Sequence, residues 1–519
     1  MVRSKHSPWI AAALGALVYL LAAPPSADLA AQEYRADLGL TLWDDGWFAG
    51  HHVPGYSLLF PPLGGALGVR LTGALAAIAA AASLAALARR HWGARAGGAS
   101  SLWLAAATMA LLLDGRITFL LGVAVGAGAL LALAHERRFV AVGLAAATTL
   151  ASPVAGLFVA LAVAGWTLAA PRPRLAAGIA IGTSALAPIV VMLVLFPEGG
   201  SEPFVASSFW PALAGALVVA ALLPAGERAL RVSALLYAVT LVAAFALATP
   251  LGGNATRLGA LAAGPIALGA LRGRRHPALV AGIAVVFAYW PLYPAVRDVV
   301  RASGDPAVQA GYHAPLLRFL RQPGDPIRAR PGSFRVEIPP TADQSEAHYV
   351  AGGRSGVPLA RGWERQLDRR DGALFYDGSL STRSYRAWLD ERAVAFVAVA
   401  DAPLDAAARD ETRLIAGGLP YLHEVWRDAH WRVYAVHDPT PLASTRGGGA
   451  RAIVGRGGIT LHARHAGAVL VRVHFTRWWR VTSGRACVTR TAGDMTRVEL
   501  PAAGTVRLQA RLTGSSCRR

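Results

Sequence analysis

The sequence predicts a mostly α-helical, polytopic membrane protein of about eleven transmembrane helices. A C-terminal extracytoplasmic part follows, built as an α/β subdomain and then a β-sandwich. Three observations carry this. The chain is 54% hydrophobic and only 16% charged, with a mean hydropathy of +0.41, where an average soluble domain holds about 25% charged residues. Long Ala, Leu and Gly runs recur from residue 8 to residue 295. After residue 296 the runs shorten, charges appear and short alternating segments take over.

A spanning helix needs about 20 apolar residues, within a range of roughly 17–25. The candidate runs are 8–24, 66–88, 98–113, 117–134, 138–151, 154–170, 175–196, 208–224, 230–249, 257–271 and 277–295. The first, Trp9 to Ala23, follows Arg3 and Lys5 in the manner of a signal peptide. No cleavage site follows it, and many more apolar runs do, so it reads as a retained first helix.

Charge sets the orientation, because Lys and Arg gather in cytoplasmic loops. With the N-terminus in the cytoplasm, the inside loops hold Arg89, Arg90 and Arg95; Arg137 and Arg138; Arg172 and Arg174; Arg228 and Arg231; and Arg272, Arg274 and Arg275. The alternate loops are LDGR (113–116), ASP (151–153), PEGGSEPF (197–204) and TPLGGNATR (249–257), and they carry only Arg116 and Arg257. The formal charge of +20 is therefore mainly a topology signal. No RNA-binding signature or zinc-ligand spacing accompanies it, so the expected partner is the lipid bilayer and not nucleic acid. An odd number of spans places residues 25–57 and everything after 296 outside. The expected division is a membrane domain, 1–296, an α/β subdomain, 297–440, and a sandwich, 441–519.

In the outer part SFRVEIPP (333–340), VAFVAVA (394–400) and WRVYAVHD (431–438) read as strands. STRSYRAWLDE (381–391) and PLDAAARDETRLIAGG (403–418) read as helices. From about 445 short strands and Gly turns alternate, the pattern of a sandwich. The chain's two cysteines, Cys487 and Cys517, both lie there. Outside the cell a disulfide persists, so the two are expected to pair; two free thiols in a reduced compartment is the alternative.

The chemistry gathers in the outer loops. SADLAAQEYRADLGL (26–40) brings Asp28, Glu33 and Asp37 just after the first helix. On a helix Asp28 and Glu33 are about 140° apart, while Glu33 and Asp37 share a face. A carboxylate there suits a general base for a hydroxyl or a helper in placing a metal; a solvated acidic face is the plainer reading. LWDDGWFAGHHVPGYS (42–57) follows. Trp43, Trp47, Phe48 and Tyr56 suit an interfacial belt or platforms on which sugar rings stack. Asp44 and Asp45, being adjacent, point opposite ways in an extended segment, and His51 and His52 share that limit. These residues make a candidate substrate site or a loop framework, and PGYSLLFPP returns the chain to the membrane.

Arg116 and Arg257 stand against the charge bias and suit phosphate, with snorkelling to headgroups as the alternative. Asp114 reads as a partner for Arg116. In the outer part Trp363 and Glu364, with Arg365, Phe375 and Tyr376, are residue types that line carbohydrate grooves, as are Glu346, His348, Trp478 and Trp479; packing roles are the alternative.

The arrangement resembles the GT-C superfamily of membrane glycosyltransferases, and within it actinobacterial envelope members. The stretches that carry the resemblance are DLAAQEYRADLGL, LWDDGWFAGHHVPGYSLLFPP, LASPVAGLF (150–158) and TPLGGNATRLG (249–259). It implies a GT-C-like fold and sugar transfer from a polyprenyl-phosphate donor to an envelope glycan or lipid acceptor. It also implies a catalytic acid in the first outer loop, a role that falls on Asp28 with Glu33 second. Donor phosphate would fall to Arg257 and Arg116, and a divalent cation, Mg or Mn, is a further expectation. Two rival readings are a multi-pass transporter and a non-catalytic envelope scaffold. The scarcity of ionisable residues within the spans argues against the transporter.

Overall fold

The computed structural model describes residues 7–169, 174–271, 277–322, 330, 332–353 and 356–518. Arg3, Lys5, Arg172, Arg272, Arg274, Arg275 and the side chain of Arg95 lie outside them. The chain divides into two units, Met1–Gln32 with Gly55–Ser303, and Glu33–Pro54 with Gly304–Arg519.

Each of the eleven apolar runs falls on a helix of the first unit. Helix α1 is Ser7–Ala22, and α2, Leu29–Leu38, starts in the first unit and ends in the second. Then come α3 Phe60–Leu67, α4 Val69–Leu113, α5 Ile117–Ala134, α6 Arg138–Ala151 and α7 Pro153–Leu168. They are followed by α8 Leu175–Leu195, α9 Ala206–Leu222, α10 Arg228–Ala246, α11 Thr256–Ala270 and α12 Pro277–Ser303. Gly93, at φ 78° and ψ 178°, breaks α4 into two helices and so accounts for two of the runs. Five helices are long and apolar enough to cross a membrane: Val69–Gly93, Ile117–Ala134, Leu175–Leu195, Arg228–Ala246 and Val280–Ser303. Shorter apolar helices accompany them, as in a multi-pass membrane protein. A bilayer leaves the backbone no other partner than itself, which is why such runs become helices. Local signals set the ends: Ser152 caps α7 by accepting from the Ala155 amide, and Pro153 takes the first helical position.

In the second unit β1 (Trp43–Asp44) and β2 (His51–His52) form a small antiparallel hairpin. Gly50, at φ 108°, closes it, and a Cβ there would drive into the Trp43 ring. Helix α13 is Ala310–Leu320. Strands β3 (Arg335–Glu337), β4 (Val394–Ala400), β5 (Leu422–Arg427) and β6 (Trp431–Val436) form a sheet in the order β3-β4-β6-β5, with β3 parallel to β4. Helices α14 (Glu346–Tyr349), α15 (Arg365–Asp371), α16 (Thr382–Glu391) and α17 (Arg409–Ala416) complete this α/β part.

The sandwich follows with β7 (Ala443–Ser444), β8 (Ala450–Gly455), β9 (Gly458–Ala463), β10 (Gly467–His474) and β11 (Trp479–Ser483). It ends with β12 (Ala486–Arg490), β13 (Met495–Leu500), β14 (Gly504–Ala510) and β15 (Cys517–Arg518). One sheet runs β15-β12-β13-β10-β7 and the other β11-β14-β9-β8. Cys487 and Cys517 oppose each other across β12 and β15 and are joined as a disulfide.

Two boundaries differ from the sequence reading. The first outer loop, 25–57, reads as part of the membrane domain, but residues 33–54 belong to the second unit. Tyr34, Leu38, Trp47, Phe48 and Val53 are buried in one apolar cluster with Phe334, Val336, Phe396 and Trp431. Burying that much aromatic surface outweighs proximity along the chain. The last run, expected to end at 295, continues as α12 to Ser303. Pro291 and Pro294 lie inside that helix without ending it.

Candidate functional site

The polar chemistry of the first unit is built at helix ends. The sequence LLLDGR closes α4 with Asp114 as its last, half-helical residue. Gly115 takes φ 74° and donates to the Leu112 carbonyl, and Arg116 donates to that of Leu111. This Schellman arrangement needs glycine at the left-handed position. Space demands it as well: a Cβ on Gly115 would lie 2.5 Å from Ser26 Oγ and 2.9 Å from the Leu29 nitrogen. The turn thus packs against the residues that carry Asp28. Arg116 Nη1 is 3.2 Å from Asp114 Oδ2, and its Nε is 3.8 Å from Asp28 Oδ2. Asp114 is buried, and its Oδ1 makes no hydrogen bond. Burial pushes its carboxyl up to about 6, Arg116 opposing and Asp28 and Asp298 adding to the shift.

Arg257 enters from the start of α11, after the turn Gly252–Ala255. Its guanidinium lies 5.3 Å from the centre of the Phe119 ring, and no carboxylate forms an ion pair with it among the described residues. Arg297 comes from the far end of α12, where Nε and Nη2 both donate to Asp298 Oδ1, at 3.0 and 2.8 Å. That clamp fixes a long side chain which would otherwise lose rotamer entropy on binding anything.

These groups line one cavity of about 970 Å³. Asp114, Arg116, Ser207, Ser208, Arg257 and Arg297 come from the ends of α4, α5, α9, α11 and α12. Helix bodies supply the rest of the wall, including Leu111, Pro211, Ala260, Val286, Phe287 and Trp290. A long apolar crevice with guanidiniums at one end suits an amphiphile whose anionic head joins an apolar tail. A second cavity, about 470 Å³, is lined almost wholly by apolar side chains and holds no arginine.

The other sequence candidates lie in the second unit, mostly inside it. Glu33 Oε2 is 3.6 Å from His348 Nε2. Asp44 accepts from the Tyr34 hydroxyl at 2.9 and 2.8 Å. Asp45 accepts from Trp43 Nε1 at 2.8 Å, and burial holds its carboxyl well above the usual range. Trp47 stacks on Tyr34 at 4.2 Å and donates to the Ala347 carbonyl at 3.0 Å. His51 lies 3.8 Å from Asp44 and 3.9 Å from Glu364, and His52 meets the Thr476 hydroxyl at 2.8 Å. Glu364 accepts from Arg35 at 2.5 Å and from Gln366 at 3.0 Å, and the same Arg35 sits 5.0 Å from the Trp363 ring centre.

An interfacial belt or a stacking platform needs open ring faces. Trp43, Trp47 and Phe48 are exposed by 2% or less, so they have none. Nearby, Arg361 grips Asp368 through two nitrogens and Glu411 through a third, with Phe375 beneath it at 4.1 Å. Trp479 is buried in the sandwich core, and Trp478 lies beside Arg477 and Arg480.

Asp28, Arg116 and Arg257 thus share the first unit with Tyr56, while Glu33, Asp44, Asp45, Trp47, His51, His52, Trp363 and Glu364 belong to the second. Sequence reasoning missed Arg297 and Asp298. The signal was present: a charged pair directly after PLYPAV, at the end of the last apolar run. Among the described residues no three His, Cys, Asp or Glu come together to hold a metal. Asp28 and Asp114 both lie against Arg116.

No protein-family model and no curated protein matches the chain. Among solved structures, the Archaeoglobus fulgidus oligosaccharyltransferase in the apo form matches with a TM-score of 0.51 at 13% identity, over 77% of this chain and 70% of that one. ArnT from Cupriavidus metallidurans, bound to undecaprenyl phosphate, aligns at 14% identity over 82% of this chain and 97% of that one, with a TM-score of 0.38. The first likeness gives this chain a GT-C-like fold, a helical N-terminal part followed by a β-rich C-terminal region.

Proposed function

We propose that this chain is a membrane glycosyltransferase that moves a hexosyl or pentosyl unit from a polyprenyl-phosphate donor to a glycan or lipid of the cell envelope. In this reading it is of the actinobacterial envelope type. The single observation behind it is the 970 Å³ cavity, apolar along its walls and edged by Arg116, Arg257 and Arg297. The isoprenoid lies along the helix bodies and the phosphate meets the guanidiniums.

The chemistry then follows from the chain's own groups. A carboxylate beside the phosphate takes the proton of an acceptor hydroxyl. The oxygen attacks the anomeric carbon, the bond to phosphate breaks, and polyprenyl phosphate leaves with the electron pair. Arg257, which forms no ion pair with a carboxylate among the described residues, meets its growing charge, the kind of pre-placed electrostatic help that lowers such barriers most. Asp28 is the base in this reading, because it shares Arg116 with the phosphate site; Glu33 faces His348 in the other unit. The donor phosphate lies on the outer face, with the N-terminus in the cytoplasm and the second unit outside. A divalent cation, Mg or Mn, would be held by the donor phosphate with one or two carboxylates, and turnover with and without a chelator tests it.

The test is sugar transfer by the purified full chain from a panel of polyprenyl-phosphate sugars, beside Asp28→Asn and Glu33→Gln. Asp28→Asn should lose about 10²- to 10⁴-fold in turnover, while Glu33→Gln stays within a few-fold of wild type. A wild type that neither binds nor turns over any donor would overturn the reading in favour of a transporter or scaffold. Full turnover by Asp28→Asn would remove Asp28 as the base.

A further inference from the structure

The sandwich has a lopsided charge. Residues 441–518 contain thirteen arginines and two carboxylates, Asp494 and Glu499. Both carboxylates belong with the five-stranded sheet and already hold arginines. Asp494 is 2.7 Å from Arg490, and Glu499 is 2.6 Å from Arg497.

The four-stranded sheet is different. No acidic residue stands on β11, β14, β9 or β8. Ile459, Leu461, Val506 and Leu508 fill the core, so the alternate positions face outward. Those positions carry Arg480 and Thr482 on β11, Thr505, Arg507 and Gln509 on β14, Thr460 and His462 on β9, and Arg451 and Ile453 on β8. Register makes them one surface: Arg507 pairs with Thr460, Thr505 with His462, and His462 with Arg451. Three inter-strand spacings and a four-residue offset along the strands put Arg480 and Arg451 about 20 Å apart, with Arg507 between them. Arg480 is held by the carbonyls of Arg477 and Trp479. At Arg451, burial and then the nearby Arg330 lower the guanidinium's pKa. Among the described residues no carboxylate forms an ion pair with Arg451, Arg480 or Arg507; like charges on one face repel, and an external anion relieves that repulsion.

The chemistry of the face selects the anion. A surface that lies on a bilayer presents apolar side chains to it, yet in residues 441–518 the one exposed large apolar side chain is Leu512, beyond β14. A face for single-stranded nucleic acid offers stacking aromatics, and the outward positions of these four strands hold none. Between the arginines lie the Thr460 hydroxyl and the hydrogen-bonded pair of Thr505 and His462, 2.7 Å apart, groups suited to sugar hydroxyls. We propose that the outward face of β11-β14-β9-β8 binds an acidic polysaccharide, its anionic groups meeting Arg451, Arg480 and Arg507. None of these residues lines the transferase cavity, and neither assignment depends on the other.

The experiment uses the full chain in nanodiscs of neutral phosphatidylcholine, with polygalacturonate as the probe. Dextran is the neutral control, and vesicles containing phosphatidylglycerol are the competing surface. Wild type is expected to bind polygalacturonate and not dextran, with affinity falling as salt rises. Arg451→Gln/Arg480→Gln/Arg507→Gln should weaken binding about tenfold or more. Arg490→Gln/Arg497→Gln/Arg518→Gln, which removes the same charge elsewhere in the sandwich, should leave it nearly unchanged. Equal losses in the two variants would mean net charge alone and overturn the proposal. So would no loss in the first, binding of dextran as tight as of polygalacturonate, or binding of the anionic vesicles without the polymer.

Discussion

Asp114 shows how much one buried carboxyl controls. It lies 3.2 Å from Arg116 and lines the wall of the cavity where the donor phosphate is proposed to sit. Burial pushes its pKa up to about 6, so it is neutral below that pH and charged above it. A charged Asp114 repels phosphate and takes up part of Arg116; a neutral one does neither. The KM for donor is therefore expected to rise as pH rises through about 6, by roughly tenfold across the titration. Asp114→Asn, permanently neutral, should hold the low KM from pH 5 to pH 8. Initial rates against donor concentration at several pH values decide it, and a wild-type KM that stays level across that range would be the contrary result. At the same scale, Trp47 was legible as an important residue and illegible as to role. Its indole donates to Ala347, 300 positions along the chain, and no local pattern announces a partner so distant. Trp47→Ala should cost about 3–5 kcal/mol, read as a lower melting temperature of the second unit.

Among the elements, the helices were the most readable part of the chain. A bilayer requires continuous apolar runs with internally bonded backbone, so composition alone locates them. Their polar ends were half readable. Arg116 and Arg257 stood out because they break the charge bias of the loops, whereas Arg297 was hidden by a helix that runs to Ser303, past two prolines. Helix α12 yields its own expectation. Asp298 clamps Arg297 through two donors, so Asp298→Asn should loosen that guanidinium without touching the reacting atoms. Donor KM should rise a few-fold with kcat nearly unchanged, the sign of lost ground-state and transition-state binding in equal measure. A fall in kcat at constant KM would give Asp298 a different part. The α/β sheet was legible in its strands but not in its partner. A short continuous apolar run marks β4 and partial alternation marks β6, yet nothing local says that residues 33–54 pack in the same core.

For the molecule as a whole, the stronger constraints join segments far apart in sequence. The sandwich is closed near the C-terminus by Cys487 and Cys517, thirty positions apart. A loop of that size restrains the unfolded chain by roughly 3–4 kcal/mol in the chain-entropy picture. Cys487→Ser/Cys517→Ser is therefore expected to lower the melting temperature of the sandwich while leaving sugar transfer measurable at low temperature. Thermal melts with and without reductant test it: reductant should move wild type toward the double variant and leave the variant where it is. A chain this basic, +20 overall, also draws anions without any specific site, which is why the polysaccharide experiment removes equal charge from two places.

The membership of residues 33–54 in the second unit also sets a clock. The ribosome must add the 249 residues from 55 to 303 before the rest of that unit begins to emerge. At about 5–20 residues per second, this takes roughly 12–50 s. Throughout that interval Tyr34, Trp47, Phe48 and their neighbours have none of their final partners from Gly304 onward. A chain arrested near residue 303 should therefore expose this aromatic segment to protease and to holding chaperones, and one released at full length should hide it.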